Sequence, residues 1–406
     1  MRDLRRQRRK AERAWRSGKG PKADYADLRH KYEALEFIKR CNYNQKSLRM
    51  SAGDAKALHK KLRRLMGKAP QDLPNSANMK KIAEDFKTYF LEKVEGIRES
   101  ISEERNDPHI DENHHVSANG DTSPIFNTFS IPSVDDIKGY VTSMTNKFCT
   151  LDPIPTFLLK EFVDELSPLL HHIVKMSLSS PASVVSGLKK AVVNPILKKE
   201  SLDADLLKNY RPVSNLSVVS KLLEKIVFDQ LSSYLDDEDL HCKMQSGYRA
   251  HHSCETLLIK MMDDILGDMN EGRIVIVVLL DLSAAFDTID HDILLDRLRR
   301  DFGICGNVLQ WFKSYLEDRS FSVKVGAALS SFLEIVFGVP QGSLLGPILF
   351  IMYIKYLEEI ADKYGLKIKL YADDSQLYTS FIRTHQMNFM ISLREQTNAL
   401  RKSELG

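Results

Sequence analysis

A mixed α/β or α+β fold is predicted for the larger, C-terminal part of this chain, on three observations. From Ile131 onward, short apolar strands alternate with helical stretches, the pattern of a sheet covered by helices. Ile274 to Leu280 is an uninterrupted, largely β-branched apolar run, which predicts a fully buried strand. Leu366 to Tyr371 alternates apolar residues with lysine, Ala372-Asp373-Asp374-Ser375 follows, and Gln376 to Tyr378 is strand-like again. That order predicts a hairpin carrying two acids at its tip.

The residues ahead of this domain read differently. Residues 1–98 are helical in character, with Leu28, Tyr32, Leu35 and Ile38, and later Ile82, Phe86, Phe90 and Val94, near a 3.6-residue period. The first 20 residues hold nine Lys or Arg against two acids, so Arg5 to Lys10 with Arg13 and Arg16 predict a basic helix suited to phosphate contacts or nuclear import. Residues 99–130 are expected to be a polar, mobile linker, most plainly from Glu99 to Ser123, where aliphatic residues almost vanish. His109, His114 and His115 in it read as solvent-exposed rather than metal-binding, since no cysteine partners them.

Composition sets the outer bounds. The chain has 406 residues, is 43% hydrophobic and 28% charged, and carries a net charge of +3, an ordinary balance for a soluble chain of two or three compact units. Its longest aliphatic run, Ile274 to Leu280, falls far short of the roughly 20 apolar residues of a membrane span. Five scattered cysteines, Cys41, Cys149, Cys242, Cys254 and Cys305, include no CxxC pair, which speaks against a disulfide framework or structural zinc and for free thiols.

The chemistry is concentrated in carboxylates at strand ends. The apolar run ends in Asp281-Leu-Ser-Ala-Ala-Phe-Asp287, and the hairpin tip carries Asp373 and Asp374. An acid at the end of a core strand is costly unless a cation or hydrogen-bond donors satisfy it. Two such strand ends in one sheet bring together oxygen ligands for hard divalent cations such as Mg²⁺. Two cations about 3.5–4 Å apart stabilise both the attacking and the leaving oxygen of a phosphoryl transfer. Taken singly, Asp281 reads better as an N-cap and Asp373-Asp374 better as a turn.

The order of the boxes adds a family resemblance. Tyr-Ala-Asp-Asp (371–374) looks like the reverse transcriptase active-site box, and Asp-Leu-Ser-Ala-Ala-Phe-Asp (281–287) looks like its first catalytic motif. Between them, Gly-Val-Pro-Gln-Gly-Ser-Leu-Leu-Gly-Pro-Ile-Leu-Phe (338–350) is similar to the loop and helix that cradle the incoming nucleotide. Leu-Asp-Pro-Ile-Pro (151–155), Asn-Tyr-Arg-Pro-Val-Ser-Asn-Leu (209–216), Gln-Ser-Gly-Tyr-Arg (245–249) and Thr-Ile-Asp-His-Asp-Ile-Leu (288–294) resemble the non-LTR, LINE-like branch of that family.

The resemblance implies an α+β, right-hand polymerase fold, with fingers over about 131–270 and a palm over about 271–406, behind a basic helical connector (1–98). It implies RNA-directed DNA synthesis with an RNA template, a DNA primer, dNTPs and two Mg²⁺, or Mn²⁺ in their place. Asp281 and Asp373 would ligate both metals, and Asp374 would complete the cluster and hold the primer end. Phe286 matches the aromatic beneath the nucleotide sugar that excludes a 2′-hydroxyl, with a core aromatic as the alternative. Gln341 and Gly342 match the nucleotide-site pair, where glycine lets the backbone approach the substrate. Arg211, Arg249 and Lys198 are candidates for the triphosphate.

The chain also departs from that pattern. Lys355 and Tyr356 stand where such elements usually carry Asn-Asp, and His252 where a second arginine is expected. Only 32 residues follow Asp374. Phe381 to Gly406 is expected to begin as a helix, with the thumb missing and neither endonuclease nor zinc knuckle present. The expected identity is thus a severed middle piece acting in the nucleus. The rivals are a maturase-like RNA binder, a nucleic-acid-binding remnant and an inactive one. Oligomeric state stays open.

Overall fold

The structure, a computed structural model, describes residues 2–49, 73–74, 78–105, 124–147, 149–179, 183–199, 201–249, 251–282 and 284–382. The chain divides into two compact units, Met1–Asp72 and Leu73–Gly406. The first contains α1 (Arg2–Arg16) and α2 (Lys22–Arg49). They pair through Trp15 stacked on Tyr25 at 5.4 Å and Arg8 over the Tyr32 ring at 4.6 Å, contacts that use the flat faces of both rings.

The second unit opens with α3 (Met79–Arg105). The expected boundary at residue 98 therefore falls inside a helix, and that helix belongs to the second unit. The cause is its apolar stripe: Ile82, Phe86 and Phe90 are buried on a sheet against Ala191, Val193, Tyr210 and Val323. Phe86 meets Tyr210 edge-on at 4.8 Å. Each such buried ring contributes about 2–3 kcal/mol, which is enough to fix a helix on a sheet.

The linker expected over 99–130 is helical at its start, to Arg105. Residues 106–123, with His109, His114 and His115, lie outside the described residues. Its last residues are anchored rather than mobile, since Phe126 stacks on Tyr234 at 5.0 Å and Phe129 packs edge-on to Trp311.

Next come α4 (Val134–Ser143), α5 (Thr156–Glu161) and α6 (Val163–Ser179). Ser133 starts α4 with a reciprocal capping box to Asp136. Strand β1 (Lys190–Leu197) and β2 (Tyr210–Leu216) are followed by α7 (Val218–Asp237), α8 (Cys254–Asn270) and β3 (Ile274–Asp281). Then follow α9 (His291–Phe302), α10 (Gly306–Leu316), β4 (Arg319–Val325), β5 (Ala328–Leu329) and β6 (Leu333–Ile335). The described elements end with α11 (Leu345–Tyr353), α12 (Tyr356–Lys363), β7 (Lys367–Tyr371) and β8 (Asp374–Phe381). The helix expected from Phe381 does not begin there, because Phe381 closes β8 opposite Ile274; residues 383–406 lie outside the described residues.

Two sheets result. One has the order β2-β1-β4-β5, with β6 also on β4; β1 and β4 run parallel and the remaining pairs antiparallel. The other is antiparallel with the order β3-β8-β7. The helices α6, α7, α9, α10 and α11 share one core built on Leu222, Leu231, Leu294, Trp311 and Leu349.

The expected fully buried strand is a strand, but an open one. Leu280 is 7% exposed, whereas Leu279 is 72% and Val277 39%. Among the described residues β3 pairs with β8 alone and stands at the sheet's edge, so its apolar run there reflects strand propensity on both faces more than burial on both. No described helix is long and apolar enough to cross a membrane.

Candidate active site

The second sheet sets its acids by register. β3 and β8 pair antiparallel from Ile274↔Phe381 to Asp281↔Asp374, and β7 meets β8 at Tyr371↔Asp374. Directly opposed residues on one face stand roughly 4.5–5.5 Å apart at Cβ. Asp281 and Asp374 are therefore cross-strand neighbours at the open end of the sheet, and Asp373 stands in the two-residue turn beside them. Like charges side by side raise each other's affinity for a proton. Asp374 is raised above its ordinary value, first by desolvation and then by Asp373 and Asp281.

Among the described residues, no three His, Cys, Asp or Glu side chains already close around one point. The donor set nevertheless fits a hard cation: three carboxylates, two of them exposed, whose repulsion a divalent ion relieves. Asp281, Asp373 and Asp374 would hold it.

The hairpin turn has a support that the sequence reading passed over. Ala372 has a left-handed φ of 57°, which costs an L-residue about 1–2 kcal/mol. The side chain of Gln245, 3% exposed, holds it: Oε1 accepts the Ala372 N–H at 3.0 Å and Nε2 donates to Ala372 O at 3.2 Å. A Cβ on Gly247 would come within 2.3 Å of Ala372 N, so only glycine lets this strip lie against the turn. Ser246 N donates to Leu370 O, and Leu370 N to Met244 O. The signal for this clamp is the Gln-Ser-Gly box itself, which also carries Arg249.

Arg249 donates to Cys242 O at 3.4 Å and lines a cavity with Asp236, His241 and Lys355. Lys198 and Arg211 do come together, at the paired ends of β1 and β2, where Lys198 N donates to Asn209 O and Ile196 faces Arg211. The Lys198 ammonium is held below its usual range by desolvation, then by the like charges of Lys93 and Arg211, while Asp281 acts the other way. Lys93, on α3, was not among the expected residues.

Phe286 is half-buried, its ring 4.9 Å from that of Phe350 on α11. Its peptide oxygen accepts Val339 N–H at 2.8 Å, which ties the turn after β3 to the 338–344 loop. Within that loop Gln341 Nε2 donates to Asp287 Oδ2 at 2.8 Å, and Gln341 O accepts Ser214 N–H at 2.7 Å. Gly342 has φ 99°, and a Cβ there would stand 3.0 Å from Ser214 O. Its backbone thus lies close against β2. Lys355 and Tyr356 both bond Asp301, through its carbonyl and its carboxylate respectively.

The family described as reverse transcriptase (RNA-dependent DNA polymerase) matches residues 196–405, more than half of the chain. The chain is similar to the probable RNA-directed DNA polymerase from transposon BS of Drosophila melanogaster, 33% identical over 178 residues, which are 42% of this chain and 19% of that protein. It is similar to the RNA-directed DNA polymerase from mobile element jockey of the same species, 31% identical over 176 residues, again 42% of this chain and 19% of that protein. It also matches the retrovirus-related Pol polyprotein from type-1 retrotransposable element R2 of Popillia japonica, 36% identical over 80 residues, 20% of this chain and 13% of that protein. The chain thus spans about a fifth of the length of the first of these relatives.

Proposed function

This chain belongs to the reverse transcriptase (RNA-dependent DNA polymerase) family, and from that we propose that it extends a DNA primer with dNTPs on an RNA template. The observation that carries this reading is the register pair Asp281↔Asp374 with Asp373 in the adjoining turn. A bound pair of Mg²⁺ ions, or Mn²⁺, would supply charge stabilisation for the attacking 3′-oxygen and the leaving pyrophosphate. The protein's own share is orientation. Asp281, Asp373 and Asp374 hold the cations, Phe286 lies against the sugar, and Gln341 and Gly342 shape the nucleotide site. Lys198 and Arg211 bind the triphosphate, with Arg249 a more distant cation.

In the same reading residues 131–270 act as fingers and 271–406 as palm. The basic face of α1, where Arg5, Arg6, Arg9 and Arg13 are exposed, contacts nucleic acid, and the protein works in the nucleus at chromosomal DNA. That basic face also favours a second reading, a nucleic-acid-binding piece without catalysis, whose affinity falls steeply with salt.

Primer extension separates the two. The assay uses poly(rA)/oligo(dT), Mg²⁺ and dTTP, with the wild type beside Asp373→Asn/Asp374→Asn. Extension by the wild type alone is expected. No extension by either protein, both folded, leaves the binding reading.

A further inference from the structure

The loop that carries Gln341 is held by a group the polymerase reading leaves unused. Asp287 ends the turn after β3, six residues from Asp281, and its Oδ2 accepts Gln341 Nε2 at 2.8 Å. Its own N–H bonds Ala284 O at 2.8 Å, which fixes the residue in place. The pair borders a cavity of about 110 Å³ between α3, the first sheet and the loop, lined otherwise mostly by apolar side chains such as Phe90, Val193 and Phe321.

A carboxylate only accepts hydrogen bonds, whereas a carboxylic acid also donates one. Facing an ionised Asp287, the Gln341 amide has to keep its NH₂ end inward. Facing a protonated one it can turn over and offer Oε1 instead. An ionised Asp287 thus fixes which end of Gln341 is left for a ligand, and a protonated one lets the amide turn either way. We propose, resting on the polymerase reading, that Asp287 is a positioning residue for the incoming nucleotide, and that its ionisation sets the orientation of the Gln341 amide and so makes nucleotide binding pH-dependent.

The charges around Asp287 allow this. Its carboxyl is pushed up to about 7 by desolvation, against the opposing pull of Lys93 and the Gln341 hydrogen bond. Lys93 and Glu95 of α3 and Tyr210 of β2 are the other titratable groups lining the cavity. His291 of α9 lies one contact further, with Nε2 2.8 Å from Gly338 O. Burial holds His291 below its ordinary range, so it changes charge at a lower pH than Asp287.

The test is binding of a mant-labelled dTTP to the full chain with primer, template and Mg²⁺ at pH 6 and pH 8, which needs no turnover. The triphosphate's own ionisation gives every variant a common slope. Beyond it, the wild type is expected to bind about fivefold more tightly at pH 8 than at pH 6, while Asp287→Asn and Gln341→Met show the common slope alone. Asp287→Asn retaining the wild-type excess overturns the inference and leaves the polymerase reading intact. The same excess in Gln341→Met overturns it too, since Asp287 then acts by another route. A wild type that binds at neither pH, though folded, overturns both.

Discussion

Gln245 holds Ala372 at both its N–H and its C=O, at 3.0 and 3.2 Å, and its Oε1 also takes the Gly247 N–H at 2.7 Å. One buried amide thus fixes the single left-handed residue that sets Asp373 and Asp374 at the sheet's end. Without it, buried peptide groups lose partners and the strained φ loses its support. Gln245→Ala is expected to cost about 2 kcal/mol of stability and to slow primer extension at least tenfold. Gln245→Asn, one methylene short, is not expected to rescue either. Chemical denaturation and extension rates on the same samples check both.

The neighbouring acids make a prediction about cations. Asp374 is raised by desolvation, then by Asp373 and Asp281, so the folded protein takes up its proton more readily than the unfolded chain. The sign follows: this group lowers stability as pH rises through the carboxylate range, and the penalty is absent once it is protonated. A divalent cation removes the repulsion and binds only the folded form. Mg²⁺ or Mn²⁺ should therefore raise Tm at pH 7.5, do so much less at pH 4.5, and have no effect on Asp373→Asn/Asp374→Asn. An equal gain in that variant places the cation elsewhere.

Phe286 separates a sugar contact from a core contact. Its ring rests on Phe350 at 4.9 Å, so Phe286→Val should cost about 1–2 kcal/mol in either role. Only a ring against the nucleotide sugar also makes the variant accept UTP. The ratio of kcat/KM for dTTP over UTP should fall at least tenfold. A lower Tm with an unchanged ratio makes Phe286 a packing residue.

What the sequence disclosed depended on how local the cause was. The β7–β8 hairpin was legible because its alternation and its two-residue turn lie within a dozen residues, and the acids came with it. The exposure of Leu279 and Val277 was not, since composition cannot tell an edge strand from a central one. Nor was the docking of α3, whose Phe86 finds Tyr210 more than a hundred residues away. Gln245 and Arg249 lie four residues apart in one box, yet Gln245 bonds the hairpin turn while Arg249 bonds Cys242 O. Which member of a motif faces the chemistry is decided by the pairing of Leu370 with Met244 and Ser246, a contact more than a hundred residues long in sequence.

The far end of the 338–344 loop rests on a buried carboxyl, and that carboxyl has a pH signature. Glu224, in the middle of α7 and 1% exposed, accepts the Tyr315 hydroxyl at 2.6 Å through Oε1 and Leu344 N–H at 2.9 Å through Oε2. Burial pushes its carboxyl up, and the two hydrogen bonds, with Arg319 nearby, only partly offset this. A raised folded value means that Glu224 lowers stability as pH climbs above the ordinary carboxylate range. Glu224→Gln keeps the shape without the charge, so it should match the wild type at pH 5 and be more stable at pH 8. Glu224→Leu leaves the Tyr315 hydroxyl and Leu344 N–H unpaired in the core and should cost about 3 kcal/mol at both pH values. Urea denaturation of the three proteins at the two pH values measures this. A Gln variant that loses stability equally at pH 5 and pH 8 would show that the hydrogen-bond geometry, and not the charge, governs this end of the loop.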